Sequence, residues 1–204
     1  MKQILCFGDS NTYGLIPGTK ERYAWEERWT GILGEKIKAK GFRVVEEGLC
    51  GRTTVFEDEL RENRRGVAVL PMLLETHAPL EKVVLMLGTN DCKTTYQASA
   101  EVIGKGIEKL IYQIKAADEK IEILLVSPIL LAEGVGEESF DPEFNQESVE
   151  TSKKLKRVYQ EIAEKNGCEF LAASDYAKAS EADREHLDKE GHRKLAEAVY
   201  RKIA

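Results

Sequence analysis

The feature that most constrains the fold is an alternation. Short apolar runs rich in β-branched residues recur at positions 3–7, 42–45, 82–87, 121–126 and 169–171, and such runs suit strands buried on both faces. Segments of helical periodicity lie at 29–40, 65–76, 98–117, 148–165 and 189–203, each long enough to cross back over a sheet. Strand followed by helix along the whole chain predicts a three-layer α/β/α sandwich around a parallel sheet of about five strands. Gly41 and Gly167, the latter preceded by Asn166, stand where helices must stop and fit left-handed caps. With 204 residues and no repeat, linker or low-complexity tract, the chain is expected to form a single domain over 1–204. A chain of this length buries roughly 70% of its unfolded surface, enough for a core without metal or disulfide. One long aperiodic stretch, 129–146, with Pro128 at its entry and Pro142 within it, reads as a functional loop.

Composition narrows the partners. Thirty basic against 36 acidic residues give a net charge of −6, which leaves no footprint for a phosphate backbone, so no nucleic-acid partner is expected. No apolar run approaches the ~20 residues of a membrane-crossing helix. Met1-Lys2-Gln3 leads straight into an apolar strand without a signal-like segment, so no membrane partner and a cytoplasmic location are expected. Cys6, Cys50, Cys92 and Cys168 form no CxxC pair and read as reduced thiols.

In an open parallel sheet, ligands bind beyond the carboxyl ends of the strands. There the chain reads Gly8-Asp9-Ser10-Asn11-Thr12-Tyr13-Gly14 after the first strand and Gly48-Leu49-Cys50-Gly51-Arg52-Thr53-Thr54 after the second. Gly88-Thr89-Asn90-Asp91 follows the third, and Asp183-Arg184-Glu185-His186 precedes the last helix. These four blocks, in this order, resemble the SGNH hydrolase superfamily of GDSL-type esterases and lipases. The wording Cys-Phe-Gly-Asp-Ser, Arg-Thr-Thr and Met-Leu-Gly-Thr-Asn-Asp is similar to its arylesterase and acyltransferase branch. The resemblance implies a flavodoxin-like five-stranded fold and hydrolysis of acyl esters; with an acyl pocket lined by Tyr13 and an aliphatic residue such as Ile129, the expectation is a serine esterase acting on small short-acyl or aryl esters through an acyl-enzyme. It implies Ser10 as nucleophile, Asp183 and His186 completing a triad, and Ser10, Gly51 and Asn90 as oxyanion-hole donors. Members of that branch can transfer acyl groups to alcohols and form oligomers, so acyl transfer and a homo-oligomer are further expectations.

The chemistry supports those residue types independently. A serine hydroxyl needs a positioned base, and of the three histidines only His186 has an acid, Asp183, at a spacing that lets both share a tight turn. His77 reads as a helix-end or surface residue, and His192 as a support for the active-site turn. The separation of His186 and His192 is not the i, i+4 spacing of zinc proteases and no third ligand is evident, so neither metal nor cofactor is expected. Taken alone, Ser10 could merely cap a helix, Asp9 tie down its loop, and Asn90 and Asp91 form a turn. A glycine at 51 lets a backbone amide enter a crowded site. The Gly-x-Ser-x-Gly elbow and the Gly-x-Gly-x-x-Gly fingerprint are both absent.

Candidate substrate-binding residues are Asn11, Tyr13, Phe56, Ile129 and Leu130, with Trp25, Trp29, Phe140 and Phe144 as further walls. Trp25 and Trp29, four apart, also fit one apolar helical stripe. Arg184 and Glu185 make the Asp-x-x-His block bulkier and more charged than is usual in the family. The alternatives are a carbohydrate O-deacetylase, a thioesterase or lysophospholipase on the same machinery, and a non-enzymatic small-ligand-binding domain.

Overall fold

A computed structural model describes residues 1–203. Strands β1 (Lys2–Gly8), β2 (Phe42–Gly48), β3 (Lys82–Met86), β4 (Glu122–Ser127) and β5 (Glu169–Ala172) form one sheet in the order β2-β1-β3-β4-β5. Every pairing is parallel. The helices are α1 (Ser10–Tyr13), α2 (Trp29–Lys38), α3 (Gly66–Thr76), α4 (Ala100–Ala117), α5 (Gln146–Asn166) and α6 (Lys189–Ile203). Because β1 lies between β2 and β3, the chain leaves β1 in one direction and later returns on its other side. Such a reversal opens a crevice at the carboxyl edge of the sheet.

The period of two along each strand divides the core. Ile4, Cys6, Val84, Met86, Leu124 and Val126 face Trp29 and Leu33 of α2 and Leu195 and Val199 of α6. Leu5, Phe7, Val83, Leu85, Ile123 and Leu125 face α3, α4 and α5. That is the expected sandwich, with apolar residues on both faces of the central strands.

Three local departures from the sequence reading have physical causes. β2 runs on through Glu46, Glu47 and Gly48, beyond the apolar run. It is an edge strand, and Glu46 is satisfied by Arg22, by Arg28 at 2.9 Å and by the Thr30 hydroxyl at 2.8 Å. Trp25 and Trp29 do not share a helix: Trp25 belongs to a separate 3₁₀ turn, and Arg28, with φ −78° and ψ 144°, breaks the backbone between them. Trp29 is fully buried whereas Trp25 is 38% exposed. α5 begins at Gln146, two residues early, because Asn145 caps it by accepting from Ser148 N at 2.9 Å.

The stretch carries no helix or strand from 129 to 145, with α5 starting at its last residue, yet it is anchored. Leu131, Val135 and Phe144 insert into the core on the α4–α5 side, and Ile129 into the core on the opposite face. α3 contains Pro71, which supplies no N–H to the carbonyl of Val67 one turn earlier. Gln113 of α4 donates its side-chain amide to that same carbonyl at 2.8 Å.

Candidate active site

Each block identified in the sequence ends at the carboxyl edge. Asp9 caps α1, its carboxylate accepting from Asn11 N at 3.0 Å; Ser10 is the first helical residue and leaves its hydroxyl free. That hydroxyl lies 2.8 Å from His186 Nε2. On the other side of the ring, His186 Nδ1 donates to Asp183 Oδ2 at 2.7 Å. Asp183 also accepts from His186 N at 2.9 Å, Glu185 N at 3.1 Å and Gly18 N at 2.9 Å. Burial pushes the Asp183 carboxyl up, but the His186 ring and these amides outweigh it and hold the group down at about 2. Burial pushes His186 the opposite way, and the carboxylates of Glu185, Asp183 and Asp9 overcome it to raise the imidazole to about 9.

The turn bearing His186 is clamped from several sides. Asn11 accepts from Leu187 N at 2.9 Å and donates to the Glu185 carbonyl at 3.5 Å. Ala132 N donates to the Arg184 carbonyl at 2.9 Å, and the Arg184 guanidinium reaches the Glu133 carbonyl at 2.8 Å and Glu137 at 2.9 Å while covering Phe140. Arg184 sits at φ +64°, a left-handed conformation unusual outside glycine. The long loop and the histidine turn therefore hold each other.

Two further loops close on Ser10. Gly51 takes φ +80°, a left-handed conformation that favours glycine, whereas the nearest atoms a Cβ would crowd are at the movable end of the Arg61 side chain. Asn90 donates one amide hydrogen to the Arg52 carbonyl at 3.1 Å, and Asp91 accepts from Thr54 N and its hydroxyl, tying the β2 and β3 loops together. Burial pushes Asp91 up to about 6 and Asp9 up to about 7. Arg52 stacks on Phe7 and donates to the Gly8 carbonyl at 2.8 Å.

The remaining candidates are distributed unevenly. Asn11 and Ile129 border a narrow internal seam with Asp9, Met86, Thr89, Pro128 and Leu187, and Asn11 has its amide engaged in the clamp. Tyr13 is half-buried with Arg22 over its ring at 4.0 Å; Phe56 stacks on Tyr96 at 4.9 Å; Leu130 is half-buried in the long loop. Phe144 is in the core. His77 ends α3 and meets Glu47 at 2.9 Å. His192 accepts from Trp29 N at 3.3 Å, joining α6 to the start of α2, and burial pushes it down to about 4. All four cysteines are free thiols. Among the described residues no group of three or more His, Cys, Asp and Glu side chains is arranged to hold a metal ion, and no helix is long and apolar enough to cross a membrane.

Glu185 was not singled out as a site residue from the sequence, where only its bulk and charge are visible. The residue is largely buried, its carboxylate accepts no hydrogen bond from any donor among the described residues, and one of its oxygens lies 3.7 Å from His186 Nε2.

The sheet order and the serine–imidazole–carboxylate arrangement at its carboxyl edge are those of the SGNH hydrolase class. A carbohydrate acetylesterase family member from Sinorhizobium meliloti superposes with a TM-score of 0.92 at 37% identity, covering 100% of this chain and 97% of that one. A second carbohydrate acetylesterase from the same organism gives 0.90 at 33%, covering 100% and 98%. The M. smegmatis aryl esterase gives 0.90 at 31%, with the same coverage. Among curated proteins none matches the chain. Residues 6–194 match the GDSL-like lipase/acylhydrolase family. The chain belongs to that family and is a carboxylic ester hydrolase.

Proposed function

We infer that the protein hydrolyses small, short-acyl carboxylic esters through an acyl-enzyme formed on Ser10. The observation that carries this reading is the hydrogen-bonded series Ser10 Oγ, His186 Nε2 at 2.8 Å, and His186 Nδ1 to Asp183 at 2.7 Å. In the neutral ring, Nδ1 keeps its hydrogen on Asp183 and Nε2 is free to take the Ser10 proton as Oγ attacks the ester carbonyl. The imidazolium so formed stands against Asp183 and then returns the proton to the departing alcohol. The backbone amides of Ser10 and Gly51 and the free amide hydrogen of Asn90 are the donors assigned to the developing oxyanion. Water then repeats the sequence on the acyl-enzyme and releases the acid.

The preference for short acyl groups rests on crowding: Ser10 and Asn90 are each 3% exposed and His186 is 7% exposed. On the alcohol side, acetyl esters of carbohydrates are a second reading, supported by the two carbohydrate acetylesterases among the similar structures. Aryl and carbohydrate acetates should both be hydrolysed, and acetate esters faster than octanoate esters. Ser10→Ala should lower kcat by at least about a thousandfold. Faster cleavage of octanoate, or an unchanged rate in Ser10→Ala, would overturn the assignment.

A further inference from the structure

We propose that Glu185 holds the water that cleaves the acyl-enzyme, and thereby sets how the enzyme divides acyl groups between water and competing alcohols. The inference rests on the reading of Ser10 as the acylated residue. Three observations lead to it. Glu185 is only 6% exposed, yet no protein donor among the described residues reaches its carboxylate, and its oxygens are not sealed from solvent, so water is the donor left to them. It stands 3.7 Å from Nε2, on the ring nitrogen that faces Ser10 rather than the one that faces Asp183. Its backbone is fixed on both sides, by Asp183 accepting from its N–H and by Asn11 donating to its carbonyl.

Two acceptors 3.7 Å apart leave room for one oxygen within hydrogen-bond distance of both. A water in that position donates one hydrogen to Nε2 and the other to Glu185. As its oxygen bonds to the acyl carbon, the first proton passes to Nε2 and the second stays on the oxygen, held by Glu185. The tetrahedral adduct collapses by breaking the bond to Ser10 Oγ, Nε2 returns its proton to Oγ, and the carboxylic acid departs. Glu185 gains and loses no proton. A simple alcohol has only one hydroxyl hydrogen, which Nε2 requires, so its alkyl group must lie against a buried carboxyl. A vicinal diol escapes this penalty, because its second hydroxyl can donate to Glu185.

The test is product partitioning. Phenyl acetate is supplied with a fixed concentration of 1-propanol or of glycerol, and transferred acetate is measured against free acetate by gas chromatography. The ratio is set after acylation, so it does not depend on the active fraction of a variant. Glu185→Leu should raise transfer to 1-propanol relative to hydrolysis by about tenfold, the lower range for a hydrogen bond to a charged group. Transfer to glycerol should rise less, and the isosteric Glu185→Gln should lie between Leu and wild type. An unchanged ratio in both variants, or equal rises for the two alcohols, would overturn the role of Glu185. Failure of the wild type to release phenol, or release undiminished in Ser10→Ala, would instead overturn the underlying esterase reading.

Discussion

His186 occupies an unusual electrostatic position. Asp183 stands on one nitrogen and Glu185 near the other, with the buried Asp9 beyond Ser10 and the neutral-leaning His192 on the α6 side. Asp141 and Lys93 in turn face Glu185 with opposite charge. Burial alone would favour the uncharged ring; the carboxylates win and raise it to about 9. Only the neutral ring can accept the Ser10 proton. The rate should therefore be low where the imidazolium dominates and rise with pH through about 9, well above the 6.5 of an ordinary histidine. Glu185→Gln should move that midpoint down. A kcat/KM profile on phenyl acetate checks both, and a wild-type midpoint at or below 6.5 would contradict this electrostatic account. The hydrogen-bonded pair of Asp183 and His186 is legible in the sequence, because His186 alone among the histidines has an acid three residues upstream. Glu185 was not legible: a glutamate inside a charged surface-like block gives no sign that its neighbours bury it.

Pro71 and Gln113 show how elements compensate one another. A proline inside α3 leaves the Val67 carbonyl without its helical partner, and Gln113 of α4 donates to it. Gln113→Leu should destabilise the fold by about 1 kcal/mol, the net worth of a part-buried hydrogen bond, since it also removes the partnerless Gln113 Oε1. In a Pro71→Ala background the restored N–H can serve Val67, so the same change should cost markedly less. Urea denaturation of the four proteins of this double-mutant cycle measures the coupling, and additive effects would refute it. Strands and most helices were readable from periodicity, since buried parallel strands and crossover helices carry different periods. The end of β2 was not, because Glu46 looks unfit for a strand until Arg22, Arg28 and Thr30 are seen around it. The separation of Trp25 from Trp29 was hidden for the same reason: four-residue spacing does not reveal a break at Arg28.

At the scale of the molecule, the order β2-β1-β3-β4-β5 brings together residues as distant in sequence as Ser10 and His186. The carboxyl-edge rule anticipates which loops meet at Ser10, but not the mutual grip of Arg184 and the long loop, which depends on side-chain reach across the fold. The family and its ester chemistry agree with this convergence of loops. Ester hydrolysis by this arrangement requires that Ser10 carry the acyl group during turnover. Protein quenched in acid during phenyl acetate hydrolysis and analysed by peptide mass spectrometry should carry one acetyl group on the peptide containing Ser10, and none in Ser10→Ala. An acetylated peptide elsewhere, with Ser10 unmodified throughout turnover, would contradict it.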